Sequence, residues 1–148
     1  DLDFVAGKFL AALSLVLAGL LISLVHFITL TQVGTNIDYG AVFTGYLGLA
    51  LAGAVYSAVG IFASSLTDNQ VVAFIIGIFI ALIFFLMDKM LMFVPAALTG
   101  IIQYLSVDYH LSNISRGVID SRNLIYFASV VGLFLFMTVR MLEIRRWK

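Results

Sequence analysis

An all-α bundle of four membrane-spanning helices, with two short helices at one membrane surface, is the fold this sequence predicts, and three observations predict it. Charged residues avoid four long apolar stretches: residues 9–30, 41–66, 71–87 and 124–139 contain no Asp, Glu, Lys or Arg. Each is about as long as the roughly 17 to 25 residues that cross a hydrocarbon core as a helix. Composition agrees, since 63% of the 148 residues are apolar and only 11% charged, with a mean hydropathy of +1.15. That balance lies far outside the range of soluble globular domains. Polar, Gly-containing joints separate the stretches, as turn chemistry requires. The chain reads as one membrane domain, with no room for a second, soluble one.

The first span, about residues 9–30, is entered through Asp3, placed to cap the first helical turn and to put negative charge at the positive end of the helix dipole. Lys8 marks the membrane surface. The span ends in Thr31, Gln32, Gly34 and Asn36, and the loop to Gly40 carries Asp38 but no Lys or Arg. The second span, about 41–66, interleaves Gly45, Gly48, Gly53 and Gly60 with Ser57 and Ser64 at helical spacings. Gly53/Ser57 and Gly60/Ser64 are small-xxx-small pairs, which let helix backbones approach where lipid offers no hydrophobic drive. This helix is expected to be the most buried, its small face serving either general packing or specific dimerisation.

Thr67, Asp68, Asn69 and Gln70 form a very short polar hairpin into the third span, about 71–87, so spans two and three are expected to be antiparallel neighbours, with Asp68 or Asn69 capping the third helix. Beyond Asp88 and Lys89 lies the longest non-spanning segment. Pro95 opens an apolar stretch over about 95–105, too short to cross a bilayer and read as an interfacial or re-entrant helix. A second short helix is expected over about 109–120, with Leu111, Ile114, Val118 and Ile119 on one face and His110, Asn113, Arg116 and Asp120 on the other. Arg116 and Asp120, at i and i+4, are spaced for a surface ion pair.

The last span, about 124–142, ends in a tail with Arg140, Arg145, Arg146, Trp147 and Lys148, the mark of a membrane anchor. By the positive-inside rule this tail lies in the cytoplasm, and with four spans the start of the chain does too. Lys89, Arg116 and Arg122 then fall on the outer side. The chain begins with Asp1 rather than Met, which reads as a fragment or a processed product.

Several function classes are excluded or disfavoured. Formal net charge is zero, so nucleic-acid binding has no electrostatic basis. Without Cys there is no disulfide, cysteine nucleophile or thiolate metal site. His26 is the sole ionisable residue within a span, no base accompanies the hydroxyls of Ser14, Ser23, Ser57 and Ser129, and no phosphate-cradling Gly-rich motif is present. Catalysis by this chain is not expected, and no cofactor or metal site is assigned to it.

The order of elements, together with Asp3-Phe4-Val5-Ala6-Gly7-Lys8 at the start, Gly60-Ile61-Phe62-Ala63-Ser64-Ser65-Leu66-Thr67-Asp68-Asn69-Gln70 at the hairpin, Arg116-Gly117-Val118-Ile119-Asp120-Ser121-Arg122-Asn123 before the last span and Thr138-Val139-Arg140-Met141-Leu142-Glu143 near the end, resembles the C-terminal part of ABC-2 type transporter permeases, in the gliding-motility-associated subgroup. The resemblance implies that the four spans are the third to sixth of a six-helix permease of the bacterial cytoplasmic (inner) membrane, with the two short helices as a re-entrant pair. It implies a second permease subunit, in a homo- or heterodimer, and separate ABC ATPase subunits that bind ATP and Mg. Asp3, Lys8, Thr67, Asp68, Asn69 and Gln70 become candidates for coupling to the ATPase, and His110, Asn113, Arg116 and Asp120 for an outer gate. Asn123 stands where the family pattern implies an acidic residue. The competing reading is a non-transporting membrane anchor or regulatory subunit of a motility or secretion complex.

Overall fold

The computed structural model describes residues 1–147 and is all-helical, with no strand among the described residues. Six α-helices follow one another: α1 (Leu2–Val33), α2 (Tyr39–Leu66), α3 (Gln70–Leu86), α4 (Ala96–Leu105), α5 (Val107–Ser115) and α6 (Ser121–Arg146), with a 3₁₀ turn at Lys89–Phe93 between α3 and α4. Three of them, α1, α2 and α6, are long and apolar enough to cross a membrane. The 17-residue α3 contains no Asp, Glu, Lys or Arg but is shorter. At about 1.5 Å per residue it extends about 26 Å.

Side-chain caps set most helix starts. Asp38 accepts from the Ala41 N–H (3.2 Å) to begin α2, Asn69 from Val71 and Val72 (2.9 and 3.4 Å) to begin α3, Ser106 from Tyr109 (3.4 Å) to begin α5, and Asp120 from Arg122 (3.0 Å) to begin α6. Each satisfies a backbone donor that the first helical turn leaves free. Asp3 does not cap α1. The helix begins earlier, with Asp1 at the N-cap position, and Asp3 sits inside the first turn.

The helix α2 is the centre of the bundle, packing against α1, α3, α5 and α6. Its Ala52, Val55, Ala58 and Val59 meet Tyr126, Phe127 and Phe134 of α6 and Val107 and Ile114 of α5. Small residues on α2 opposite large aromatics on α6 fill this core. By contrast α1 buries only Val5 and leaves Leu15 and Ile22 more than 70% exposed. In water that face would be a severe liability; in hydrocarbon it is an ordinary lipid-facing surface.

The two short helices differ from one another. No residue of α4 is buried, as suits a helix lying at a surface. The helix α5 turns into the bundle, with Val107, His110 and Ile114 each 1% exposed or less. It also ends earlier than the sequence pattern predicts: Gly117, at φ +89°, follows its last turn and its N–H bonds to the Ile114 carbonyl (3.1 Å). A glycine in the left-handed region is a common helix terminator. Residues 116–120 are therefore not helical, Val118 and Ile119 lie exposed rather than continuing the Leu111/Ile114 face, and Arg116 and Asp120 do not share a helix.

Candidate functional site

Because α1, α2, α3 and α6 alternate in direction along the chain, the start of α1, the α2–α3 hairpin and the end of α6 gather at one end of the bundle. The α1–α2 loop, α4, α5 and the start of α6 gather at the other. The candidate residues separate accordingly.

At the hairpin end, Asp68 pairs with Arg145, whose guanidinium also donates to the Ser65 carbonyl (3.1 Å). One arginine of α6 thus holds both sides of the turn, the last carbonyls of α2 and the acid that precedes α3. Arg146 lies 3.5 Å from Asp1, tying in the start of α1. Lys8 stacks over the Phe4 ring (4.6 Å to its centre) and shares a small cavity with Ser64, Ser65 and Thr138. Thr67 accepts from the Asn69 N–H (3.2 Å), and Asp68, Asn69 and Gln70 are all exposed, with Asn69 capping α3 and Asp68 paired with Arg145. Asp3 is exposed and makes no ion pair among the described residues. Lys148, counted in the basic tail, lies outside the described residues.

The opposite end is organised around His110. Its imidazole does not face solvent, as its place on a polar helix face predicts, but is buried. Nε2 donates to the Tyr104 carbonyl (2.7 Å), Nδ1 lies 2.6 Å from the Asn123 carboxamide, and the ring stacks on Tyr126 with centres 3.9 Å apart. The Tyr126 hydroxyl in turn donates to the Leu105 carbonyl. Tyr104 O and Leu105 O are among the last carbonyls of α4, which a helix end leaves without internal partners. His110 and Tyr126 supply those partners and so fasten α4 to α5 and α6. Nearby, Lys89 donates to Asp108 (2.6 Å) and lies 3.6 Å from Asp88. The hydrogen bond to Asp108 raises the Lys89 ammonium above its ordinary range.

Asn113, Arg116 and Asp120 lie beside this cluster around an open cavity. The ion pair expected between Arg116 and Asp120 is not formed among the described residues, because the chain turns at Gly117 and the Asp120 carboxylate caps α6 instead.

The small residues of α2 divide into closed and open positions. A Cβ on Gly48 would lie 2.8 Å from the Leu111 side chain of α5, and one on Gly53 would lie 2.5 Å from Val16 of α1. A Cβ on Gly45 or Gly60 would meet nothing within 4 Å. Ser57 is partly buried, and Gly60 and Ser64 lie exposed on a groove between α2 and α3. Ser23 reaches from α1 to the Tyr46 hydroxyl of α2 (2.9 Å), whereas Ser14 turns back to its own helix.

Sequence reasoning did not single out Ser65 or Tyr126, nor the pairing of Arg145 with Asp68. The last had a signal, because antiparallel spans must return the basic tail to the level of the acidic hairpin. Comparison with protein-family models, with curated proteins and with solved structures finds no match to this chain.

Proposed function

We propose that this chain is the four-span part of a membrane-bound permease subunit of an ABC-2 type transporter, moving a cargo across the bacterial cytoplasmic membrane with energy from a separate ATPase. The observation that carries this reading is the hairpin end, where Asp68, Arg145, the Ser65 carbonyl, Asp1 and Arg146 are linked. A partner pressing on such a linked patch moves α1, α2, α3 and α6 together rather than bending one loop.

The fourth span is α3, whose length of about 26 Å approaches the hydrocarbon thickness once Met87 and the flanking polar residues are added. Four spans return both ends to one side. Lys8, Arg140, Arg145 and Arg146 lie at that end, and by the positive-inside rule these basic residues support a cytoplasmic side for it. The outer end then holds α4, α5 and the cluster around His110, with Asn113, Arg116 and Asp120 at the exit. The core within this chain is apolar, so a path for polar cargo runs between two such subunits. The work is a shift between conformations, biased by ATP in the partner.

The test is made on the complete protein, co-purified with its ATPase in lipid. Asp68→Ala combined with Gln70→Ala is expected to lower the permease-stimulated ATPase rate and transport, because these are exposed hairpin side chains that do not cap α3. Arg145→Gln leaves both of them in place and reports on the linkage alone. Full stimulated activity in both variants would remove the hairpin from coupling, and failure of any ATPase to co-purify would favour a non-transporting anchor.

A further inference from the structure

We infer that the cavity between the end of α5 and the start of α6 is an oxyanion site built for a phosphate group. The cavity holds about 370 Å³ and opens at the end of the bundle that carries α4 and α5. Arg116 and Arg122 both line it, together with Asn113 and the buried His110 and Asn123.

The other charges at this end already have partners. Lys89 is taken by Asp108 and Asp88, and the carboxylates of Asp38 and Asp120 cap α2 and α6. Arg116 and Arg122 alone have neither a carboxylate nor a hydrogen-bond acceptor on their side chains among the described residues. Asp120 also borders the cavity, so the arginines and the aspartate of its lining set two positive charges against one negative. The first turn of the 26-residue α6 adds the positive end of its dipole.

Two forked guanidiniums offer more donors than one carboxylate has lone pairs to accept, and a phosphate with three or four oxygens matches them better. Val118 lines the cavity with an exposed apolar side chain, and Ile119 and Ile125, next in the chain to lining residues or nearly so, are exposed as well. A phosphate can therefore arrive from water, as a free anion or soluble ester, or from the membrane, on a lipid headgroup. The site is independent of the permease reading, since binding here needs neither an ATPase nor a cargo.

The experiment uses the complete protein in neutral detergent, titrated with inorganic phosphate at constant ionic strength. A second arm uses vesicles of neutral glycolipid with or without phosphatidylglycerol. Thermal stability and the ³¹P line width are followed in both. Saturable, specific binding is expected in at least one arm. Arg116→Gln combined with Arg122→Gln is expected to weaken it at least about tenfold, because two charge-assisted contacts are lost. The Lys double variant keeps the charges without the forks and is expected to fall between. Binding of inorganic phosphate assigns a soluble ligand, whereas binding confined to phosphatidylglycerol vesicles assigns a headgroup. Arg140→Gln, at the other end, is the control for general charge. Absence of binding in both arms, or equal binding by the wild type and the Gln double variant, overturns the inference.

Discussion

Gly53→Ala and Gly60→Ala test the packing of the bundle against each other, because the two glycines look alike in the sequence and differ in their surroundings. On Gly53 the new methyl would sit 2.5 Å from Cγ1 of Val16. An ordinary carbon–carbon contact is about 3.5 to 4.0 Å, so α1 and α2 must separate locally by about 1 Å or Val16 must leave its rotamer. Val16 is β-branched and lies within a helix, where one rotamer is strongly preferred, so it has little room to give. Overpacking of this kind costs about 1 to 3 kcal/mol. The gain in helix propensity from Gly to Ala offsets up to about 1 kcal/mol of it. A net loss of about 1 to 2 kcal/mol is expected for Gly53→Ala. At Gly60 the methyl meets nothing within 4 Å, so only the propensity gain remains and the variant is expected to be neutral or slightly more stable. Reversible unfolding in mixed micelles with increasing denaturing detergent, followed by circular dichroism, measures the pair. Equal losses in the two variants, or no loss at Gly53, would refute the close approach of α1 to α2.

Two further outcomes follow from the end organised around His110. His110→Ala removes the donor on the Tyr104 carbonyl and leaves a void beside Tyr126, so a loss of about 2 to 4 kcal/mol is expected in the same unfolding assay. A loss below about 0.5 kcal/mol would place the imidazole outside the core. For Lys89, the bond to Asp108 raises the folded-state value above the ordinary 10.5. Its contribution is therefore fully present below about pH 10.5 and is lost as the pH rises through the folded value. The stability difference between wild type and Lys89→Met is expected to be constant from neutral pH to about pH 10 and to shrink above it. A difference that shrinks already between pH 7 and pH 9 would contradict this.

The long helices were legible because each charge-free apolar stretch falls on one: those over 41–66 and 71–87 match α2 and α3 to within two residues, whereas α1 and α6 run up to seven residues beyond theirs. Other features were hidden by the membrane. Apolar periodicity over 109–120 predicts one amphipathic helix, yet Val118 and Ile119 are exposed, since at a membrane surface an apolar side chain need not be buried by protein. The local signal that ends α5 was Gly117, and it was outweighed by the apparent continuation of the face. Gly60 and Gly53 lie in identical small-xxx-small patterns, but only at Gly53 does a neighbouring side chain fill the place a Cβ would take, and no residue of the motif itself encodes the distinction.

The reading of His110 failed for a different reason. Polar residues on a short surface helix are assigned to water by default, and that default holds only when no partner exists inside. Here the unpaired carbonyls at the end of α4 create a demand for donors, and His110 and Tyr126 meet it from α5 and α6. Asn123 completes the arrangement from the start of α6, its carboxamide lying 2.6 Å from Nδ1 of the buried imidazole. On the permease reading this has a mechanical consequence. The central helix α2 spans about 27 Å, at about 1.5 Å per residue, between the hairpin linked to Arg145 and Gly48, where Leu111 of α5 sits against it. A displacement imposed at the hairpin thus reaches α5 through packed contacts, and the hydrogen bonds of His110 and Tyr126 to the last carbonyls of α4 carry α4 along with it.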